Sequence, residues 1–245
     1  MTKVAIITGG GTGIGLAAGR KLAEAGWRVV LAGRRTEVLE RATSAHPALV
    51  PMAADVTNET AVEHLFAETV ARFGRVDLLF NNAGTFSRAA PLPEVELADF
   101  SAALAVNVTG MFLCARAAFR AMAAQSPQGG RIINNGSISA HAPRPQAVAY
   151  TVSKHAITGL TRALSLEGRA YDIACGQIDI GNAATELTAG IARGSMQADG
   201  HIAPEPMMDV EYAAASVLHM ASLPLSANVQ FMTVMATAMP YIGRG

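Results

Sequence analysis

Apolar runs that read as strands alternate with helix-periodic segments along almost the whole chain, and this alternation constrains the fold more than any other feature. VAIIT (4–8) precedes a helical stretch from about Gly13 to Ala25, and WRVVLAG (27–33) precedes a short helix beginning near Thr36. ALVPMAADV (48–56) precedes a helix that starts behind Asn58, a good N-cap residue, and ends at Gly74. VDLLFNNAG (76–84), RIINNGS (131–137), DIACGQIDI (172–180) and NVQFMTVM (228–235) supply four more strands. Helices over roughly 96–125, 147–170 and 209–222 separate them. Strands that are apolar on both faces are covered on both faces, which places them in a parallel sheet between helix layers. With right-handed crossovers, the pattern predicts an α/β, doubly wound parallel sheet of about seven strands with helices on both faces.

A chain of 245 residues, 51% of them hydrophobic, can bury one substantial core. No linker, low-complexity tract or repeat divides it, so residues 1–245 are expected to form one domain. The segment 185–206, with Gly190, Gly194, Gly200 and two prolines, is expected to be a mobile insertion on the substrate side. Nineteen basic residues balance nineteen acidic ones, which argues against a nucleic-acid partner. No apolar run reaches the ~18 residues needed to span a bilayer, so no membrane partner is expected. Cys114 and Cys175 lie far apart in no metal-ligand spacing. Core packing, no metal and no disulfide are therefore expected, together with a cytoplasmic location.

TGGGTGIG (8–15) joins the first strand to the first helix. Glycines there let a ligand approach the backbone closely, and the helix N-terminus offers free N–H groups and a positive dipole end to a phosphate. A P-loop would need Lys followed by Ser or Thr, but Ile14 and Gly15 stand in those places. The dinucleotide-binding strand–turn–helix unit of a Rossmann fold fits instead. At the end of the second strand, Gly33 occupies the position where an NAD-binding unit carries an acid, and Arg34 and Arg35 follow. Guanidinium groups suit a 2′-phosphate, so NADP(H) is preferred over NAD(H).

Residues 150–154 read YTVSK, which puts Tyr150 and Lys154 on one helix face. Ser137 lies at the carboxyl end of the fifth strand, where ligand crevices of such sheets form. A free tyrosine has a pKa of about 10, too high for proton transfer near neutrality. A neighbouring ammonium and an oxidised nicotinamide are expected to lower that of Tyr150. Tyr150 then gives a proton to a carbonyl oxygen as hydride reaches carbon, or takes it from an alcohol in reverse. Ser137 is expected to hydrogen-bond the same oxygen.

In this order, TGGGTGIG, ADV (54–56), NNAG (81–84), VNVTG (106–110), NNGSIS (134–139) and YTVSK resemble the short-chain dehydrogenase/reductase family, single-domain type, over nearly the whole length. The resemblance implies a pyrophosphate turn of Gly9, Gly13 and Gly15, with Ile14 beside it. It implies that Asp55 and Val56 meet the adenine, and that Asn82, Ala83 and Gly84 line the adenosine side. It places Asn107 at a helix distortion, holding a water that relays protons to Lys154, and has Lys154 bind the nicotinamide ribose. Gly181 and Thr185 match the family's segment after the sixth strand, where Thr185 reaches the nicotinamide amide or the pyrophosphate. The implied activity is NADP(H)-dependent carbonyl reduction or alcohol oxidation of a small-molecule substrate by a homotetramer. A non-catalytic NADP-binding regulatory or scaffold protein is the rival, and the intact Ser137–Tyr150–Lys154 set argues against it. An epimerase or dehydratase of this fold usually carries a larger substrate domain.

Several positions depart from that pattern. Ile180 replaces the family's proline, which is expected to loosen the entrance, and Asp179 is unusual on a buried strand. Asp179 is either a satisfied structural acid or a group on the substrate side. Six of the eleven methionines fall after residue 206, which suits a subunit interface or core filling. Candidates for substrate contact are Phe86, Arg88, His141, Arg144 and Gln146.

Overall fold

The computed structural model describes residues 1–242. Seven strands form one parallel sheet: β1 (Val4–Thr8), β2 (Arg28–Gly33), β3 (Leu49–Ala53), β4 (Leu78–Asn81), β5 (Gly130–Asn135), β6 (Ile173–Gly181) and β9 (Phe231–Met235). Their order is β3-β2-β1-β4-β5-β6-β9, and every neighbouring pair runs parallel. The order reverses between β1 and β4, and a crevice opens there at the carboxyl ends of the strands.

Period-two alternation divides the apolar residues between two layers. Ala5, Ile7, Val29, Leu31, Phe80 and Ile178 face α1 (Gly13–Glu24) and α8 (Val210–Ser222), which contribute Ala18, Leu22, Ala213, Val217 and Met220. Ile6, Val30, Leu79 and Ile132 face α3 (Glu59–Phe73) and α5 (Met111–Ala124), which contribute Val62, Leu65, Phe66, Cys114 and Met122. The helix α2 (Thr36–Thr43) follows β2. Asn58 caps α3 by accepting from the Ala61 amide, and Gly74 ends it in the left-handed conformation, as the sequence predicts.

The long helix expected over 96–125 is α4 (Leu97–Leu104), a π-helical segment (Ala105–Gly110) and α5 in succession. The joined span Leu97–Ala124 is long and apolar enough to cross a bilayer, which corrects the expectation that no segment reaches that length. Here it serves as a core helix, with Leu113, Cys114, Ala118 and Met122 buried against the sheet and α3. Cys114 and Cys175 are buried free thiols, each pushed up to about 12 by burial.

The helix α6 (Val148–Glu167) runs from the crevice past β6. Residues 185–206 hold a short helix, α7 (Ala189–Arg193), and an antiparallel ribbon of β7 (Ser195–Met196) and β8 (Ile202–Ala203). Among the C-terminal methionines, Met208, Met220 and Met239 are core residues, while Met232 and Met235 pack partly buried against that core. The last three residues of the methionine-rich C-terminal segment lie outside the described ones.

Candidate active site

β1 hands over to α1 through a turn in which Gly9 and Gly13 take left-handed φ values of 64° and 53°. Side chains rarely tolerate that conformation. Thr12, at the N-cap, makes no side-chain hydrogen bond to the first turn, so those amides remain available to an anion. The turn is braced from below. Thr8 Oγ1 accepts from the amides of Asn82 and Ala83, each at 2.9 Å, and Asn82 Nδ2 donates to the Thr8 carbonyl at 2.9 Å. Asn135 Nδ2 in turn donates to Asn82 Oδ1 at 2.9 Å.

Two cavities meet over this turn and share Gly9, Ala83 and Gly84. The larger, about 480 Å³, is lined by Arg34, Arg35, Asp55 and Val56. The smaller, about 230 Å³, is lined by Gly13, Ile14, Ser137, Tyr150 and Lys154, with Gly181 and Thr185 on its far wall. Together they form a trough with basic groups at one end and the Ser137–Tyr150–Lys154 set at the other. Gly15 lines neither cavity; as a member of the turn it lets the backbone close against the Gly9 carbonyl. Asn82 lines only the smaller cavity, away from the adenosine side, and its side chain is spent on bracing the turn.

At the Tyr150 end, Lys154 is only 3% exposed and donates from Nζ to the Asn135 carbonyl at 2.8 Å. Burial lowers its pKa to about 8 against an opposing pull from Asp179. Its Nζ lies 5.5 Å from the centroid of the Tyr150 ring. Burial raises the Tyr150 pKa, and a hydrogen bond with Ser137 and the Arg144 charge only partly oppose this. Within the protein, desolvation of the phenolate outweighs the favourable groups, and the lowering expected from an ammonium and an oxidised nicotinamide together also needs the nicotinamide.

A base whose folded pKa lies below its unfolded value costs stability while it is charged. Stability then recovers as pH rises from about 8 toward 10.5, because the unfolded chain binds the extra proton in that window. Lys154→Met is thus expected to gain on the order of 2–3 kcal/mol at neutral pH, less the lost hydrogen bond. The gain should shrink across that pH window in urea denaturation. A stability difference that does not shrink between pH 8 and 10.5 would contradict the costly buried ammonium.

Asn107 sits in the π-helical segment, the distortion that the resemblance implied. Its side chain is hydrogen-bonded within the protein. Asn107 Nδ2 donates to the Thr85 carbonyl at 2.9 Å and to Ser153 Oγ at 3.1 Å, and its Oδ1 accepts from the Thr85 amide at 2.8 Å. It fixes the loop after β4, where Phe86 packs on Tyr150 with ring centroids 4.6 Å apart.

Three substrate-side candidates are held by the protein itself. Arg144 donates from Nη2 to Asn182 Oδ1 at 2.7 Å and to Glu205 Oε2 at 2.5 Å while lining the smaller cavity. Burial of Glu205 is outweighed by hydrogen bonds from Asn182, Arg144 and Gln197, so its pKa falls to about 2. His141 faces Asp179 at 3.0 Å rather than the cavity, and Arg88 pairs with Asp99 at 3.6 Å. Gln146 adopts a φ of 59° and accepts from the Ala90 amide through its carbonyl at 3.3 Å. Thr185 shares a 2.9 Å hydrogen bond with Thr188 Oγ1 and packs over Gly13. Ile180 stands level with Val234 of β9, and the neighbouring Gly181 carbonyl accepts from the Ala236 amide at 3.2 Å. Sequence reasoning missed Glu205, Asn182, Gln177 and Thr161, whose partners lie far away in the chain.

A short chain dehydrogenase family model matches residues 3–195. The chain is 34% identical over 190 residues to 3beta-hydroxysteroid dehydrogenase of Mediterraneibacter gnavus, covering 76% of this chain and 68% of that protein. It is 30% identical over 245 residues to sulfoacetaldehyde reductase 2 of Chromohalobacter salexigens, covering 97% and 95%. Its fold is similar to that of a 3-ketoacyl-(acyl-carrier-protein) reductase from Brucella melitensis in complex with NADH. The TM-score is 0.84 at 26% identity, covering 96% of this chain and 98% of that one.

Proposed function

The chain belongs to the short-chain dehydrogenase/reductase family, and on that premise we propose that it is an NADP(H)-dependent oxidoreductase acting on a carbonyl or secondary alcohol. One observation carries this reading: Ser137, Tyr150 and the buried Lys154 line a cavity that continues into the glycine-turn trough. When bound, the nicotinamide supplies or accepts the hydride. The residues fit such a group, since the turn is open to a pyrophosphate and its first amides carry no side-chain cap.

The protein's own residues supply the remaining parts. The Gly9–Gly13 turn and the start of α1 hold the pyrophosphate, and Lys154 binds ribose hydroxyls. Ser137 holds the substrate oxygen by hydrogen bonding, and Tyr150 hands it a proton or removes one. Phe86, packed on the Tyr150 ring, helps to keep water from that proton. Arg144 lines the same cavity with its guanidinium paired to Glu205.

Arg34 and Arg35 are exposed at the adenosine end of the trough, and Arg34 acts electrostatically on Asp55. Their charge supports NADP(H) as the partner. Arg34→Ala is expected to weaken NADPH binding ~10–100-fold and to change NADH binding by less than about threefold. Isothermal titration of both cofactors checks this, and equal losses would remove Arg34 from the 2′-phosphate. The reading as a whole is tested by NADPH oxidation against small ketones, diketones and ketoesters. Turnover supports a reductase. Binding with no turnover on any of them favours a non-catalytic nucleotide-binding protein.

A further inference from the structure

We propose that Asp179 is a positioning residue for the Ser137–Tyr150 pair, clamping the Ser137 backbone and placing a fixed negative charge beneath the site so that it is set for carbonyl reduction. This rests on the oxidoreductase reading above.

Asp179 is 1% exposed in the middle of an otherwise apolar strand end, between Ile178 and Ile180. A buried carboxylate is costly unless donors surround it. Here its Oδ1 accepts from the Ser137 amide at 2.9 Å and from Gln177 Nε2 at 2.8 Å, while Oδ2 faces His141 Nε2 at 3.0 Å. The Ser137 amide belongs to the residue whose hydroxyl meets Tyr150. Asp179 therefore sets where that hydroxyl sits, through the backbone and without touching the substrate. Gly136 makes this possible, since a Cβ there would collide with Asp179 Oδ1 and come within 2.7 Å of Gln177 Nε2.

The clamp is anchored in turn. Gln177 Oε1 accepts from Thr161 Oγ1 at 3.0 Å, and Thr161 Oγ1 accepts from Asn134 Nδ2 at 3.0 Å. Asn134 Oδ1 accepts from Asn81 Nδ2 at 3.2 Å. A buried polar chain thus runs from β4 through β5 and α6 to β6 and ends on the Asp179 carboxylate. Such a chain resists repacking because every broken link leaves an unpaired buried group.

The charge has a direction. Tyr150 faces Ser137, the Phe86 ring, Lys154 on its own helix, Arg144 from the preceding loop and Asp179 from β6. Of the charges acting on it, Arg144 favours phenolate and Asp179 favours the neutral phenol. Asp179 also favours the charged form of Lys154. Both effects keep protons on the site. Reduction needs a Tyr150 that still carries its proton, and oxidation needs one that has lost it.

The titration uses the full chain without added cofactor, and the kinetic arm uses the same chain with NADPH. Phenolate formation is followed by ultraviolet difference absorbance against a Tyr150→Phe background, which isolates Tyr150 from the other tyrosines. Asp179→Asn keeps an acceptor for the Ser137 amide and removes the charge, so the Tyr150 midpoint should fall by about one pH unit. Asp179→Ala removes the clamp as well, and reductive kcat should fall ~10–100-fold further while the Kd for NADPH stays within about threefold. An unmoved Tyr150 midpoint in folded Asp179→Asn overturns the proposal. If Asp179→Asn does not fold, Asp179→Glu decides: it keeps the charge and displaces the carboxylate from the Ser137 amide, so a reductive kcat at least ~10-fold lower with the Kd for NADPH within about threefold upholds the clamp, and an unchanged kcat overturns it. If no carbonyl compound is turned over, the oxidoreductase reading fails while the titration still judges Asp179.

Discussion

Tyr150→Phe is expected to cut turnover ~10²–10⁴-fold while leaving NADPH binding within about threefold of the unsubstituted protein. The substitution removes one oxygen and keeps the ring that packs 4.6 Å from Phe86, so the wall of the cavity survives. Lys154 keeps its hydrogen bond to the Asn135 carbonyl, and the glycine turn lies at a distance on β1 and α1. What disappears is the hydroxyl that, on the proposed reading, exchanges a proton with the substrate oxygen. Steady-state NADPH oxidation paired with fluorescence titration of the cofactor separates the two effects. Unchanged turnover would remove Tyr150 from the chemistry, and a parallel loss of binding would make it a structural residue of the pocket.

Gly15→Ala should weaken NADPH binding by at least ~100-fold and cost about 1–3 kcal/mol of stability. The added methyl would run into the Gly9 carbonyl oxygen and come within 2.7 Å of Asn82 Nδ2. Neither neighbour can yield cheaply. The Gly9 carbonyl is backbone in a turn with fixed positive φ, and Asn82 is tied to Thr8 and to Asn135. The turn must open, and the amides that face the pyrophosphate then splay. Gly159→Ala is the control. Nothing lies within 4 Å of a methyl placed there on α6, so it should be neutral or stabilising by up to ~1 kcal/mol. Chemical denaturation and cofactor titration of both variants check the pair. Equal behaviour would mean that the turn tolerates a side chain.

The readings that held depend on local geometry. Alternation of doubly apolar strands with helices leads to the parallel sheet, since strand and helix periodicities are properties of a few consecutive residues. Asn58 and Gly74 mark the ends of α3 by capping chemistry that acts over one turn. Tyr150 and Lys154 share a helix face because they are four residues apart. The readings that changed concern residues whose chemistry other parts of the chain consume. The Asn107 side chain holds Thr85, and His141, one of the candidates for substrate contact, faces Asp179. Arg144 is paired with a carboxylate 61 residues away, in a segment of no regular pattern. No unbroken apolar run reaches bilayer length, yet the span Leu97–Ala124, averaged over its polar residues, is apolar enough to qualify.

By itself the sequence determined the family, the sheet and its winding, the turn that can admit a phosphate and the spacing of the Tyr150–Lys154 pair. Each follows from residues close together in the chain. Only the tertiary structure decided how those groups ionise and what holds them. Burial raises Tyr150 and brings Lys154 down to about 8, while Asp179 reaches Ser137 across 42 residues. Desolvation and long-range pairing are sums over neighbours brought in by folding, and no spacing along the chain encodes them.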